Sequence, residues 1–378
     1  MKVLFLTSSY PVPEHPWLGI FVREHARAVA PHAEVAVALL DRSDDVRRIH
    51  VEDDADAEFT AVRVRYPARP APLSYLSNVV AAALAYARLR RRGFEPDVIH
   101  AHFFLAGAPA VALGKLLGKP VVVTEQWSVF LPDDPMTLSP AMQRVARFTY
   151  EHADVVMPVS EALRDGIRAI GTRADFRVVP NVVDTTLFHP NGAPTTPTGP
   201  QQLIGVGGLY EAKRWEDLID ALPLVARNRD VHVDLFGDGV LRPSLEAQAK
   251  RLGVDELLTF HGWRPKEEVA DRLRQSDVFV LTSRYDSNPC AVIESLASGV
   301  PVVATAVGGI PEIVTEGMGV LAEAGRPESI AAAIDAALDP GRRWDRETIA
   351  KTASDRYGPE RVGGDFAAIY REALERRR

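Results

Sequence analysis

Cysteine is nearly missing from this chain. Cys290 is the only one in 378 residues, so no disulfide can close within the chain and no thiolate cluster can hold a metal. A reducing, cytoplasmic setting is the expectation. Long hydrophobic runs are missing too, since no stretch approaches the roughly 20 apolar residues of a spanning helix. The opening run, Val3 to Leu6, is shorter than the roughly 7–15 residues of a signal-peptide core, so it is expected to be a first buried strand. There is no surplus of positive charge. The 44 Lys and Arg against 51 Asp and Glu give a net charge of −7, which argues against nucleic acid as a partner. No Gly-x-Gly-x-x-Gly stands at a strand–helix junction, which counts against a dinucleotide dehydrogenase. His100 and His102 lack acidic or sulfur neighbours and make a poor metal site, so no metal is expected.

What remains is ordinary for a globular protein, with 46% hydrophobic and 25% charged residues, in a chain too long for one core. Short apolar runs alternate with amphipathic segments, the pattern of parallel sheets covered by helices. In the first half, strands are expected at Val3–Thr7, Val35–Leu40, Val62–Tyr66, Val98–His100, Val121–Thr124, Val155–Val159 and Arg177–Val179. Helices are expected at Ile20–Ala30, Val79–Arg92 and Pro140–His152. In the second half the strands are Leu203–Val206, Val231–Phe236, Leu258–His261, Val278–Thr282 and Val302–Thr305. Helices there are Trp215–Asn228, Arg242–Leu252, Lys266–Gln275 and Cys290–Ser298. Residues 189–200 are rich in Pro, Gly and Thr and read as a linker. The expected division is therefore 1–188, the linker, and 201–362, followed by a C-terminal helix over 363–378 that packs back on the first domain. Two doubly wound α/β domains facing each other place a site in the crevice at the carboxyl ends of their strands.

The segment from Val278 to Gly299 carries the most chemistry. A strand ends near Thr282, a polar loop follows, Ser287 or Asn288 suits an N-cap, and Pro289 suits the first helical position. A helix start at the carboxyl end of a parallel strand attracts anions, because its unpaired N–H groups and its dipole both point there. Glu294, about one turn into that helix, could reach a hydroxyl pair beside a bound diphosphate. The segment alone equally allows Asp286 as a loop cap and Glu294 as a solvated carboxylate.

This segment resembles the signature of glycosyltransferase family 4, retaining enzymes of the GT-B architecture, in which an acidic residue and a Glu bracket seven residues. The likeness extends through Pro158–Leu163, Val179–Phe188, Gly207–Lys213, Gly237–Gly239, His261–Trp263 and Gly308–Val314. The resemblance implies transfer of a hexose-type sugar from a nucleotide diphosphate donor, a UDP- or GDP-sugar, to a hydroxyl of a glycan, lipid-linked saccharide or small metabolite. The donor is a co-substrate, and no cofactor is implied. Glu294 would accept from both ribose hydroxyls, Asp286 would face the donor sugar, and Asn288, Pro289, Cys290 and Ala291 would line the sugar and phosphate. Lys213 would neutralise the leaving diphosphate, which raises the rate because that charge develops in the transition state. Trp263 and Arg264 complete the donor set. Asp286 and Glu294 are not the two carboxylates of a glycosidase, since the second is assigned to ribose.

On the first domain, Gly19 follows the first strand and would let backbone approach a phosphate. His102 at a strand end could orient a substrate hydroxyl, with packing as an equal alternative. Gln126 stands where the family often has His, so it can donate to a sugar hydroxyl but not carry a proton. Two further departures are Asp286 for the usual Glu and Gly208 for an Arg before the lysine, leaving a cation to be supplied by Arg214 or Arg284. Arg88–Arg92 could meet anionic headgroups at the inner membrane face, although cations also suit any helix C-terminus. The competing functions are a catalytically silent nucleotide-sugar binding protein and another GT-B enzyme such as a sugar-nucleotide epimerase.

Overall fold

The computed structural model describes residues 1–54, 58–68, 73–190 and 199–377. The chain divides into two compact units, Met1–Phe130 with Met136–Val182 and Pro359–Arg378, and Leu131–Pro135 with Val183–Gly358. The first contains β1 (Lys2–Thr7), β2 (Glu34–Ser43), β3 (His50–Asp54), β4 (Thr60–Pro67), β5 (Val98–His102), β6 (Val121–Glu125) and β7 (Val155–Pro158). Their order is β3-β4-β2-β1-β5-β6-β7, parallel throughout except for the antiparallel β3–β4 pair. Its helices are α1 (Ile20–Val29), α2 (Leu73–Arg91), α3 (Phe103–Leu117), α4 (Pro140–His152) and α5 (Glu161–Ala169).

The second unit contains β8 (Gln201–Val206), β9 (Val231–Phe236), β10 (Leu258–Gly262), β11 (Val278–Leu281), β12 (Val302–Thr305) and β13 (Gly319–Ala322). They run in the order β10-β9-β8-β11-β12-β13, every adjacent pair parallel. Its helices are α6 (Trp215–Val225), α7 (Arg242–Leu252), α8 (Lys266–Arg274), α9 (Cys290–Ala297), α10 (Ile310–Ile313), α11 (Pro327–Ala337) and α12 (Arg346–Tyr357). The last helix, α13 (Pro359–Glu375), packs on α1 within the first unit. Phe366 and Tyr370 are fully buried there, sharing a core with Val22 and Val29.

The central strands are apolar on both faces because helices cover both. β11 and β12, Val278–Leu281 and Val302–Thr305, have no exposed position at all. In each sheet the chain starts in the middle, builds outward to one edge, then returns to build the other. The strand order reverses between β1 and β5 in the first unit and between β8 and β11 in the second. Ligands in doubly wound sheets bind at such reversal points, outside the carboxyl ends of the strands.

Several expectations need correction. Arg177–Val179 forms no strand: it is extended chain hydrogen-bonded to Val156 and Pro158, with one isolated bridge at Phe176. α2 and α13 begin earlier than expected, at Leu73 and Pro359. Pro289 is the N-cap itself, with ψ 116°, and α9 begins at Cys290 with no side chain capping it. Val183 and Phe188 pack into the second core, ahead of the proline-rich stretch. Most of the expected linker, residues 191–198, lies outside the described residues.

Candidate active site

The reversal point of the second sheet gathers three loops. The loop leaving β8 carries Gly207 to Lys213, and the loop leaving β11 carries Thr282 to Pro289. They are laced together. The Thr282 hydroxyl donates to the Lys213 and Arg214 carbonyls at 3.0 and 2.9 Å, and the Arg284 N–H donates to the Ala212 carbonyl at 2.8 Å. From the other side, the Thr305 hydroxyl at the end of β12 donates to the Ser283 carbonyl at 2.5 Å, and the Gly309 N–H donates to the Asp286 carbonyl at 3.0 Å. The chain of Asp286 is thus held from both flanks.

This lacing sets the charges. The Lys213 Nζ lies 2.6 Å from Asp286 Oδ2, both side chains partly buried. Arg214, next in sequence, is a non-glycine residue in the left-handed region at φ 50°. Such a conformation costs on the order of 1 kcal/mol and survives where surroundings impose it. Its guanidinium turns to Asp217 at 2.7 and 3.0 Å, and those hydrogen bonds raise its pKa above the usual arginine value. Arg214 therefore occupies the N-cap position of α6 with its guanidinium paired to Asp217 in the first turn. Arg284 is exposed on the loop that carries Asp286, and it lines one pocket together with Arg214. The Gly208 carbonyl accepts from the Trp215 indole at 3.1 Å. Gly237 shows why this crossing is glycine-rich: at φ 128°, a Cβ would stand 2.0 Å from the Gly207 carbonyl oxygen.

The opening turn of α9 follows directly. Asn288 and Pro289 are buried, Cys290 and Ala291 are half-buried, and the Ser287 hydroxyl is buried with no partner among the described residues. Glu294 is 8% exposed and its Oε1 lies 3.1 Å from the Lys266 ammonium. Sequence reasoning missed Lys266, because residues 28 positions apart leave no periodic signal of a pairing. It also missed the lacing hydroxyls of Thr282 and Thr305. Trp263 and Arg264 leave the edge strand β10; Trp263 is half exposed, and Arg264 is engaged with Glu268 at 3.5 Å.

The first unit's reversal point is built from different groups. Gly19 caps α1 at φ 66°, and a Cβ there would lie 2.4 Å from the Ser9 carbonyl, so the turn after β1 closes only with glycine. Phe103, just past β5, is the other left-handed non-glycine residue among those described. His102 is fully buried, not facing an open crevice. It stacks on His100 with centroids 4.4 Å apart, which agrees with the two side chains sharing a face. Its Nε2 lies 3.3 Å from His25 Nδ1. His100 in turn contacts the Tyr370 hydroxyl and the Thr124 hydroxyl, each at 2.7 Å. Burial lowers all three histidine pKa values, that of His25 to about 3, so the stack is neutral. Glu125 is buried beneath the next loop, accepting from the N–H groups of Phe104, Gln126 and Trp127 at 2.9 Å and from the Tyr150 hydroxyl at 2.7 Å. That places Gln126, whose buried amide nitrogen has no partner among the described residues. Nearby lies a cavity of about 580 Å³ lined by Leu40, Asp41, Arg42, Tyr66, Tyr75 and Asn78, among others.

The arginine run at the end of α2 is drawn into ion pairs: Arg88 and Arg92 with Asp53, Arg90 with Glu95. No helix of the described residues is long and apolar enough to cross a membrane. Among those residues, no group of three or more His, Cys, Asp or Glu is placed to hold a metal ion.

Two doubly wound, mostly parallel sheets with helices on their faces are the two α/β domains of the GT-B fold. Comparison with known proteins agrees. The family model described as "Glycosyl transferases group 1" matches residues 200–339, and "Glycosyl transferase 4-like domain" matches residues 18–182. The chain is 30% identical over 334 residues to the D-inositol 3-phosphate glycosyltransferase of Kribbella flavida, covering 81% of this chain and 77% of that protein. It is 27% identical over 359 residues to the glycogen synthase of Mycobacterium tuberculosis, covering 90% and 86%. Among solved structures, Anabaena HepE in complex with UDP superposes with a TM-score of 0.76 at 21% identity, covering 98% of this chain and all of that one. The chain belongs to the family 4 glycosyltransferases and transfers a sugar from a nucleotide donor.

Proposed function

We propose that this enzyme binds a UDP- or GDP-hexose at the reversal point of the second unit and transfers the sugar, with retention, to a hydroxyl of an acceptor held by the first unit. The observation that carries this reading is the Lys213 ammonium, held 2.6 Å from Asp286 where the strand order reverses, with the buried carboxylate of Glu294 a few residues further on. Diphosphate departure puts negative charge beside a cation already fixed in place, so the lysine stabilises the transition state more than the bound donor. The N–H groups opening α9 add a second positive field without a metal. Asp286 faces the sugar, and Glu294 accepts from the ribose hydroxyls.

Retention follows if the diphosphate leaves and the acceptor attacks from the same face. The leaving phosphate oxygen then takes the acceptor's proton, so no protein base is required. The neutral histidine stack supports this reading on the acceptor side, because burial holds the pKa of each member well below the usual imidazole value and so makes it a weak base for the acceptor's proton. Gln126 serves as a hydrogen-bond donor to a sugar hydroxyl, and the cavity beside Tyr75 and Asn78 suits a compact polyol acceptor. The Kribbella relative, named for an inositol phosphate, is in keeping with an acceptor of that size.

The test is a panel of UDP- and GDP-sugars offered with and without polyol and glycan acceptors, scored by released nucleoside diphosphate and by the configuration of the product. Acceptor-dependent release with retained configuration is expected. No release with any donor that binds would favour a silent binding protein. An epimerised sugar nucleotide formed without acceptor would favour an epimerase.

A further inference from the structure

Lys266 breaks a local rule. It is the first residue of α8, at the positive end of the helix dipole, where a cation is disfavoured. Its ammonium nevertheless turns to Glu294, 3.1 Å away, and stands 5.8 Å from the centre of the buried Phe188 ring. The second unit thus fixes this lysine from two sides, against a carboxylate that is itself almost fully buried. Burying a carboxylate is costly without a counter-charge. A carboxylate has about four acceptor positions, so one ammonium at Oε1 leaves room for two hydroxyl donors.

We propose that Lys266 is a positioning residue for nucleotide recognition. It supplies the counter-charge that lets Glu294 sit buried at the reversal point, and it sets the rotation of the carboxylate that meets the ribose hydroxyls. This rests on the assignment of Glu294 to ribose. Lys266 touches neither the diphosphate nor the sugar in this scheme, so it controls hydroxyl reading and not phosphate reading.

Calorimetric titrations separate the two. Wild type, Lys266→Met, Lys266→Gln and Lys266→Arg are each titrated with UDP and GDP. The tighter of these two is then compared with its 2′,3′-dideoxy analogue and with its monophosphate. In the wild type, removing both hydroxyls is expected to weaken binding about 10-fold or more. In Lys266→Met and Lys266→Gln that hydroxyl ratio should fall to about 1–3 fold, while the ratio of diphosphate to monophosphate stays within about 2-fold of wild type. Lys266→Arg should recover most of the hydroxyl ratio. Having two neutral variants, each checked for an unchanged melting temperature, guards against a folding defect in one. A wild-type hydroxyl ratio in both neutral variants overturns the proposal. Equal loss of the hydroxyl and phosphate ratios also overturns it. Failure of the wild type to distinguish the dideoxy analogue would instead remove the ribose assignment of Glu294.

Discussion

The two units share the order of six parallel strands, with β3 added at the edge of the first, but equip the reversal point in opposite ways. In the second, the groups are charged pairs: the partly buried Lys213 with Asp286, and Lys266 with the almost fully buried Glu294. In the first they are neutral: three deeply buried histidines with Thr124 and Tyr370, and the half-buried Gln126, whose amide nitrogen has no partner among the described residues. Under the proposed function, the contrast is what two substrates of different charge demand. A diphosphate needs fixed cations that act as charge develops, whereas a hydroxylated acceptor needs oriented neutral donors and acceptors. A single scaffold supplies both, because a doubly wound sheet fixes where its loops converge and leaves their chemistry open.

The sharpest way to break this contrast is at Lys213. Lys213→Ala should lower kcat by about 100- to 1,000-fold, while the affinity for nucleoside diphosphate changes much less; equal losses in steady-state kinetics and calorimetry would make it a simple binding residue. Next is Glu294→Ala, expected to weaken nucleotide binding by about 100-fold, two charge-assisted hydrogen bonds being lost. A loss under about 3-fold would return Glu294 to a structural role. The histidine stack should make the first unit respond to pH. Its histidines stay neutral when folded but protonate in the unfolded chain below about pH 6.5. The unfolded state then binds more protons, and stability falls as pH drops from about 6.5 towards about 3, the folded value for His25. Each histidine contributes up to about 1.4 kcal/mol per pH unit. A melting temperature flat between pH 7 and pH 5 would contradict a buried neutral stack. The smallest effect is expected for Gln126→Ala, about 3- to 10-fold in acceptor KM with donor KM unchanged.

Much of the second unit could be read from the chain, because strands such as β11 and β12 are short apolar runs set off by polar or glycine- and proline-containing turns. α7 and α4 coincide with their expected bounds, each set by a proline in the first turn. β3 escaped because His50–Asp54 is polar and largely exposed, an antiparallel edge with no apolar face. β13 escaped because it is four residues long and only one is buried. α3 is apolar on all sides and contains Pro109, so neither helical periodicity nor propensity marks it. At the candidate site, Lys213, Asp286 and Glu294 stood out as residue types in a recognisable frame. The Lys266 ammonium and the hydroxyls of Thr282 and Thr305 did not, since their partners are set by strand order and not by spacing along the chain. His102 sat at a legible strand end, but its burial came with a stack on His100, which Tyr370 and Phe366 contact from the far end of the chain.

Hydrogen–deuterium exchange, measured with and without saturating UDP and GDP, tests most directly where the nucleotide lodges. Protection of residues 207–214 and 283–296, with little change at residues 98–127, is the expected result. Protection confined to the first unit, with 207–214 and 283–296 exchanging as in the free protein, would contradict the assignment of the donor to the second reversal point.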